Sequence, residues 1–209
     1  MIISHKHKFI FIKTNRTAGT SVQIGLEKSC GPEDVVCVMG PHTPEELGTF
    51  TPRNEGGYRG HDRACMVMEK IGTEIWNDYY IAAFTRNPWD RMVSNFMSRR
   101  VPKKGHSPEH FQEWAFSMSN VQVGNWGYYT DSLGEKIIVD FVGKYENLEQ
   151  DYIKICVGIG IEAIELPHLK GGGRPKGDDY RRYYNKQMIE FVRNHPTSRK
   201  EIECFGYEF

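Results

Sequence analysis

Between Phe9 and Leu26 the chain reads FIFIKTNRTAGTSVQIGL. The apolar and aromatic run Phe9 to Ile12 has the composition of a buried strand. A polar loop follows, Lys13-Thr14-Asn15-Arg16-Thr17-Ala18-Gly19-Thr20-Ser21, and then Val22, Ile24, Gly25 and Leu26 at helix-like spacing, ending near Cys30-Gly31-Pro32. Strand, loop and helix in that order place two cations, several hydroxyls and a glycine at a helix start. There the free N–H groups and the positive end of the helix dipole favour a phosphate or sulfate. The loop departs from the nucleotide-triphosphate pattern GxxxxGK[ST], because Thr14 stands at the first glycine and Thr20 at the lysine.

The same order recurs downstream. Tyr79 to Thr85 (YYIAAFT) is rich in strand formers and runs into Arg86-Asn87-Pro88, where Asn87 can cap and Pro88 can open a helix to about Arg100. Further helices are expected at Ala64 to Ile71, Glu74 to Asn77, Pro108 to Met118, Leu148 to Val157, Tyr183 to Asn194 and Thr197 to Cys204, with strands at Val35 to Met39 and Lys136 to Val142. Gly40 to Gly60 is too irregular for an element and reads as a surface excursion. Alternating strands and helices predict an α/β protein, with a central parallel sheet flanked by helices and ligands beyond the carboxyl ends of its strands. With 209 residues against a typical domain of roughly 150, the expectation is one domain over 1–209 with an elaboration.

Composition narrows the function. Lys+Arg and Asp+Glu both number 27, so wholesale electrostatic binding to nucleic acid or an anionic membrane loses its simplest support and any anion site is local. The longest apolar runs fall far below the roughly 18 residues of a membrane helix. The start MIISHKHKFIFIK lacks the apolar core of a signal peptide. Five cysteines, Cys30, Cys37, Cys65, Cys156 and Cys204, are widely spaced without a CxxC pair and read as reduced thiols, so the expected location is cytoplasmic.

Arg86 sits at the exit of the second strand, where its planar fork can grip a phosphate, and Ser94 lies about two turns into the following helix. The two can clamp one phosphate from two sides. Asp90 reads as a helix N-terminal charge and Arg91 as a solvated cation. His5 and His7, and His106 and His110, lack metal-ligand spacing, and no metal is expected.

FIFIKTNRTAGTS resembles the 5′-phosphosulfate loop, and AAFTRNPWDRMVSNF the 3′-phosphate motif, of sulfotransferases that use 3′-phosphoadenosine 5′-phosphosulfate, in particular the carbohydrate branch related to heparan sulfate 2-O-sulfotransferases. GHDRACMVMEKIGTEIWNDYY, VDFVGKYENLEQDY and YRRYYNKQMIEFVRNHPTSRKEIECFGYEF agree in order. The resemblance implies a P-loop-NTPase-like sulfotransferase fold. It also implies in-line transfer of a sulfuryl group to a hydroxyl of a carbohydrate or other small acceptor, leaving adenosine 3′,5′-bisphosphate, with no metal. Thr17, Ala18, Gly19, Thr20 and Ser21 would wrap the 5′-phosphosulfate, while Arg86 and Ser94 would hold the 3′-phosphate.

The family's lysine just before Thr-Ala-Gly-Thr is replaced by Arg16, which stabilises negative charge but is a poor proton donor. Lys13 stands three residues earlier as a candidate to share the task. His61 matches the family's histidine before the helix and aromatic strand and is the candidate general base, with His42 as runner-up, whereas His168 and His195 read as structural or solvated. Arg174 and Lys176, in the basic glycine-rich stretch 170–177, are candidate cofactor contacts on a closing loop, and Arg181 is a weaker one. Trp126, Tyr128 and Tyr129 read either as a stacking wall for a sugar or as core; Trp89, Phe96, Phe141 and Tyr145 are assigned to packing. The alternatives are a catalytically impaired nucleotide-binding protein, which Arg16 suggests, and a nucleotide kinase, against which the missing Walker lysine counts.

Overall fold

A computed structural model describes residues 1–40, 48–98, 106–117, 123–167, 169 and 177–209. By proximity of its Cα atoms the chain falls into two compact units, Met1–Thr85 with Gly127–Leu169, and Arg86–Trp126 with Lys170–Phe209.

The first unit carries a mixed five-stranded sheet of β1 (Ile2–Ser4), β2 (Phe9–Ile12), β3 (Val35–Val36), β4 (Tyr80–Thr85) and β5 (Phe141–Lys144), in the order β3-β1-β2-β4-β5. β2, β4 and β5 are parallel, with Ile12 opposite Ala83 and Ala83 opposite Val142. β1 runs antiparallel to both β2 and β3, so the expectation of a purely parallel sheet is corrected to a mixed one. The reversal is made by a tight turn over residues 5–8, where Lys8 takes φ 50 and the Asp34 carboxylate accepts the His5 and Lys6 backbone N–H groups at 2.7 and 3.1 Å. The last strand also sits later than Lys136 to Val142, because pairing to β4 begins only at Phe141.

Alternation along the strands sends Ile2, Phe9, Phe11, Ala82 and Phe84 to one face, where they pack with Val22, Ile24 and Leu26 of α1 (Gly19–Glu27) and Tyr152, Ile155 and Cys156 of α6 (Leu148–Gly158). A Cβ on Gly25 would stand 2.7 Å from the Tyr152 hydroxyl oxygen, so α1 seats closely only with glycine there. Two shorter helices, α2 (Ala64–Ile71) and α3 (Thr73–Asp78), lead into β4.

The second unit is helical. α4 (Pro88–Met97), α5 (Pro108–Ser117), α7 (Lys186–Asn194) and α8 (Pro196–Phe205) enclose Trp89, Met92, Val93, Phe96, Phe111, Met188 and Val192. Asn87 and Pro88 open α4 as the sequence suggests: the Asn87 side chain accepts from the N–H groups of Trp89 and Asp90 at 3.0 and 3.4 Å. α4 ends at Met97, short of the expected Arg100, which lies outside the described residues. No described helix is long and apolar enough to cross a membrane.

Candidate functional site

β2 delivers Lys13 and Thr14 to the sheet's carboxyl edge, and the chain then makes a compact turn into α1. Thr14 and Thr17 hydroxyls lie 2.8 Å apart, and Thr14 donates to the Phe84 carbonyl of neighbouring β4 at 2.5 Å, tying the turn to the adjacent parallel strand. Asn15 is clasped from outside, its Nδ2 donating to the Tyr128 hydroxyl at 2.5 Å. Arg16 and Ala18 both take left-handed backbone, at φ 63 and 57. Each such non-glycine residue costs about 1 kcal/mol, a local strain typical of binding turns.

Ala18 is the N-cap of α1, and no side chain caps the helix. The first N–H groups of Gly19, Thr20 and Ser21 therefore stand at the positive end of the dipole without a side-chain acceptor, beside the buried Thr17 and Ser21 hydroxyls. Lys13 is only 5% exposed, and its stem lies across Gly19, since a Cβ there would meet Lys13 Cγ at 2.8 Å. Its Nζ donates to Gln23 Oε1 at 3.0 Å. Burial pushes the ammonium down to about 8, because the charged form is poorly solvated there. The arrangement suits an oxyanion.

His61 belongs to the same unit. Its Nδ1 is 3.0 Å from the Lys13 carbonyl, an acceptor only, so Nδ1 carries the proton and Nε2 keeps its lone pair. Its ring meets Tyr128 edge to face, with centroids 6.5 Å apart. Loss of solvation around the ring and then the Lys13 charge hold the imidazole down to about 4, so it is neutral near pH 7 although the residue retains an exposed face. A neutral imidazole with a free Nε2 can accept a proton.

In the second unit, Arg86 is 6% exposed. Its Nη1 donates to Ser94 Oγ at 3.2 Å, so the two residues expected to clamp a phosphate meet each other, Arg86 from just before the Asn87 cap and Ser94 from α4. Asp90 lies in the first turn of α4 as expected, but its pairing with Arg86 was not foreseen: its Oδ2 accepts from Arg86 Nε at 2.8 Å and lies 2.6 Å from Nη2. The i,i+4 spacing was the available signal. Arg91 is also corrected. It is 1% exposed and donates from Nη1 to the Val123 carbonyl at 2.8 Å, because its helix position faces inward and its guanidinium can satisfy a buried carbonyl.

The remaining candidates separate by environment. Tyr129 is 0% exposed and belongs to the core. Trp126, in the second unit, is half-buried beneath Lys200, whose Nζ lies 6.0 Å from its ring. His195 caps α8 by accepting from the Thr197 N–H, a structural role. Arg181 stacks over Tyr180 at 4.7 Å and pairs with Asp179. His5 is 2.6 Å from the Tyr79 hydroxyl, and His7 is 3.0 Å from the Ser29 carbonyl. Among the described residues the cysteines are free thiols, with Cys37 and Cys156 buried, and no group of three or more metal-ligating side chains gathers. His42, His168, Arg174 and Lys176 lie outside the described residues. Gln23 escaped the sequence reading altogether; a glutamine between Val22 and Ile24 on a buried helix face was its signal.

No protein-family model matches this chain. An uncharacterized protein of Archaeoglobus fulgidus is 35% identical to it over 99 residues, which make up 47% of this chain and 82% of that protein.

Proposed function

We propose that this chain, which belongs to one family with the uncharacterized Archaeoglobus fulgidus protein, is a sulfotransferase that moves a sulfuryl group from 3′-phosphoadenosine 5′-phosphosulfate to a hydroxyl of a carbohydrate or other small acceptor. The observation that carries the reading is the β2–α1 turn. A helix start without a side-chain cap, two buried hydroxyls and a buried lysine converge where the resemblance puts the 5′-phosphosulfate.

The cofactor supplies the activated sulfuryl group, and the chain's residues do the rest. Thr17, Gly19, Thr20 and Ser21 would offer hydroxyls and N–H groups to the 5′ end, while Arg86 and Ser94 would take the 3′-phosphate. His61 Nε2 would accept the acceptor hydroxyl's proton. Stabilising charge on the departing bisphosphate would call for donors and cations already in position, and the uncapped start of α1 with buried Lys13 beside it supports that role. The P-loop-like fold assignment belongs to the same proposal, supported by parallel β2, β4 and β5 with helices following β2 and β4.

Calorimetric titration with adenosine 3′,5′-bisphosphate and with ATP tests the reading. Binding of the bisphosphate is expected; binding of ATP with none of the bisphosphate overturns it in favour of a kinase. Transfer from labelled cofactor to a panel of glycans then tests catalysis. Arg16 at the family's lysine position favours a second reading, a nucleotide binder without turnover, which binding without transfer would select.

A further inference from the structure

Lys13 is buried, its ammonium donates to the neutral carboxamide of Gln23, and among the described residues no carboxylate pairs with it. Burying a cation beside a neutral acceptor alone is costly, and the positive end of a helix dipole beneath it adds to the cost. Such a site is relieved by an anion. Gln23 is 0% exposed and cannot swivel freely, for its Nε2 donates to the Cys37 carbonyl at 2.6 Å and the Met1 carbonyl at 3.4 Å. Its Oε1 is thereby turned toward Lys13 Nζ at 3.0 Å, and the same oxygen accepts from the Met1 amine at 3.2 Å. Gly19 completes the arrangement, because the missing Cβ is what lets the lysine stem cross the first residue of α1.

We propose that Gln23 is a positioning residue that holds the Lys13 ammonium over the start of α1, and that Lys13, in place of Arg16, serves the bridging oxygen of the cofactor when the sulfuryl group leaves. The inference rests on the sulfotransferase reading. In the step, the acceptor oxygen bonds to sulfur as the bond from sulfur to the bridging oxygen breaks. The acceptor's proton passes to His61 Nε2. The bridging oxygen keeps the electron pair and takes a hydrogen bond, then a proton, from Lys13 Nζ, and exchange with solvent resets both side chains. An arginine cannot give up that proton, whereas a lysine held down to about 8 can. The titratable groups facing Lys13 are the Cys37 thiol, which burial raises, and His61 and the Met1 amine, both lowered to about 4; all three are uncharged near pH 7. Lys13 therefore dominates the change in local charge above neutrality.

The test is titration of the full chain with adenosine 3′,5′-bisphosphate from about pH 7 to about pH 10, alongside Lys13→Arg, Lys13→Met and Gln23→Leu. The unmodified chain is expected to lose affinity as pH rises through the lysine's range. Lys13→Arg, charged throughout, is expected to bind independently of pH. Lys13→Met is expected to bind at least about tenfold more weakly at neutral pH. Gln23→Leu, removing an acceptor that favours the charged amine, is expected to move the loss to lower pH, a change that packing damage alone does not produce. Equal binding by Lys13→Met, or an unshifted profile in Gln23→Leu, overturns the inference and leaves the sulfotransferase reading standing. No binding by the unmodified chain overturns both. Should Gln23→Leu fail to fold, Lys13→Arg decides: a flat profile supports the inference and an unchanged fall overturns it.

Discussion

Arg86 and Asp90 share a single oxygen: Nε and Nη2 of the guanidinium approach Asp90 Oδ2 at 2.8 and 2.6 Å, while Nη1 turns to Ser94. Both side chains are largely buried, at 7% and 11% exposure. Removing one partner of a buried pair strands the other charge, a loss of about 3–5 kcal/mol. Asp90→Ala is therefore expected to lower stability by that order in urea denaturation and to weaken bisphosphate binding as the guanidinium loses its orientation. An unchanged unfolding midpoint would show that Arg86 does not depend on this carboxylate.

Arg91 makes a separate prediction on the same helix. Arg91→Ala deletes the bond to the Val123 carbonyl and empties buried volume, so a loss of about 2–4 kcal/mol is expected. Thermal or chemical unfolding checks it, and a loss below about 0.5 kcal/mol, the range of ordinary surface substitutions, would contradict the buried role.

His61→Ala is expected to slow transfer about 10²–10⁴-fold while leaving bisphosphate affinity in place. The ring also leaves a signature in stability. Its native pKa, about 4, lies below the ordinary 6.5, so the unfolded chain binds the extra proton between those values. Stability then falls as pH drops through that window. His61→Gln should flatten part of the fall in denaturation curves; identical acid profiles would argue against a ring held neutral.

Lys13 carries the opposite trade. Its native pKa, about 8, lies below the ordinary 10.5, so the unfolded chain holds the proton more tightly and stability rises as pH climbs between them. At neutral pH the buried charge opposes folding, and Lys13→Met is expected to raise stability by about 1–3 kcal/mol even as it weakens binding of the bisphosphate. A variant that is both less stable and a weaker binder would point to a packing role.

Local chemistry explains which parts were legible in the sequence. Asn87-Pro88 announces α4 because a cap and a pre-set φ act within one turn. Arg86 and Ser94 lie within reach of each other because one stands just before the Asn87 cap and the other on the helix that follows, a separation short enough to read in sequence. The β1–β2 reversal stayed hidden because its turn has no glycine; the turn is stabilised by Asp34, remote in sequence. Gln23 stayed hidden for a similar reason, since its partners Met1, Lys13 and Cys37 lie on three segments that only folding assembles. Arg91 misled because arginine is usually solvated, whereas here its guanidinium is buried and donates to the Val123 carbonyl, a partner remote in sequence.

The turn at Arg16 and Ala18 adopts a glycine-like backbone without glycine. A reader who looks for such turns by counting glycines therefore passes over this one, since its steric signature resides in the dihedral angles and leaves no matching letter in the sequence.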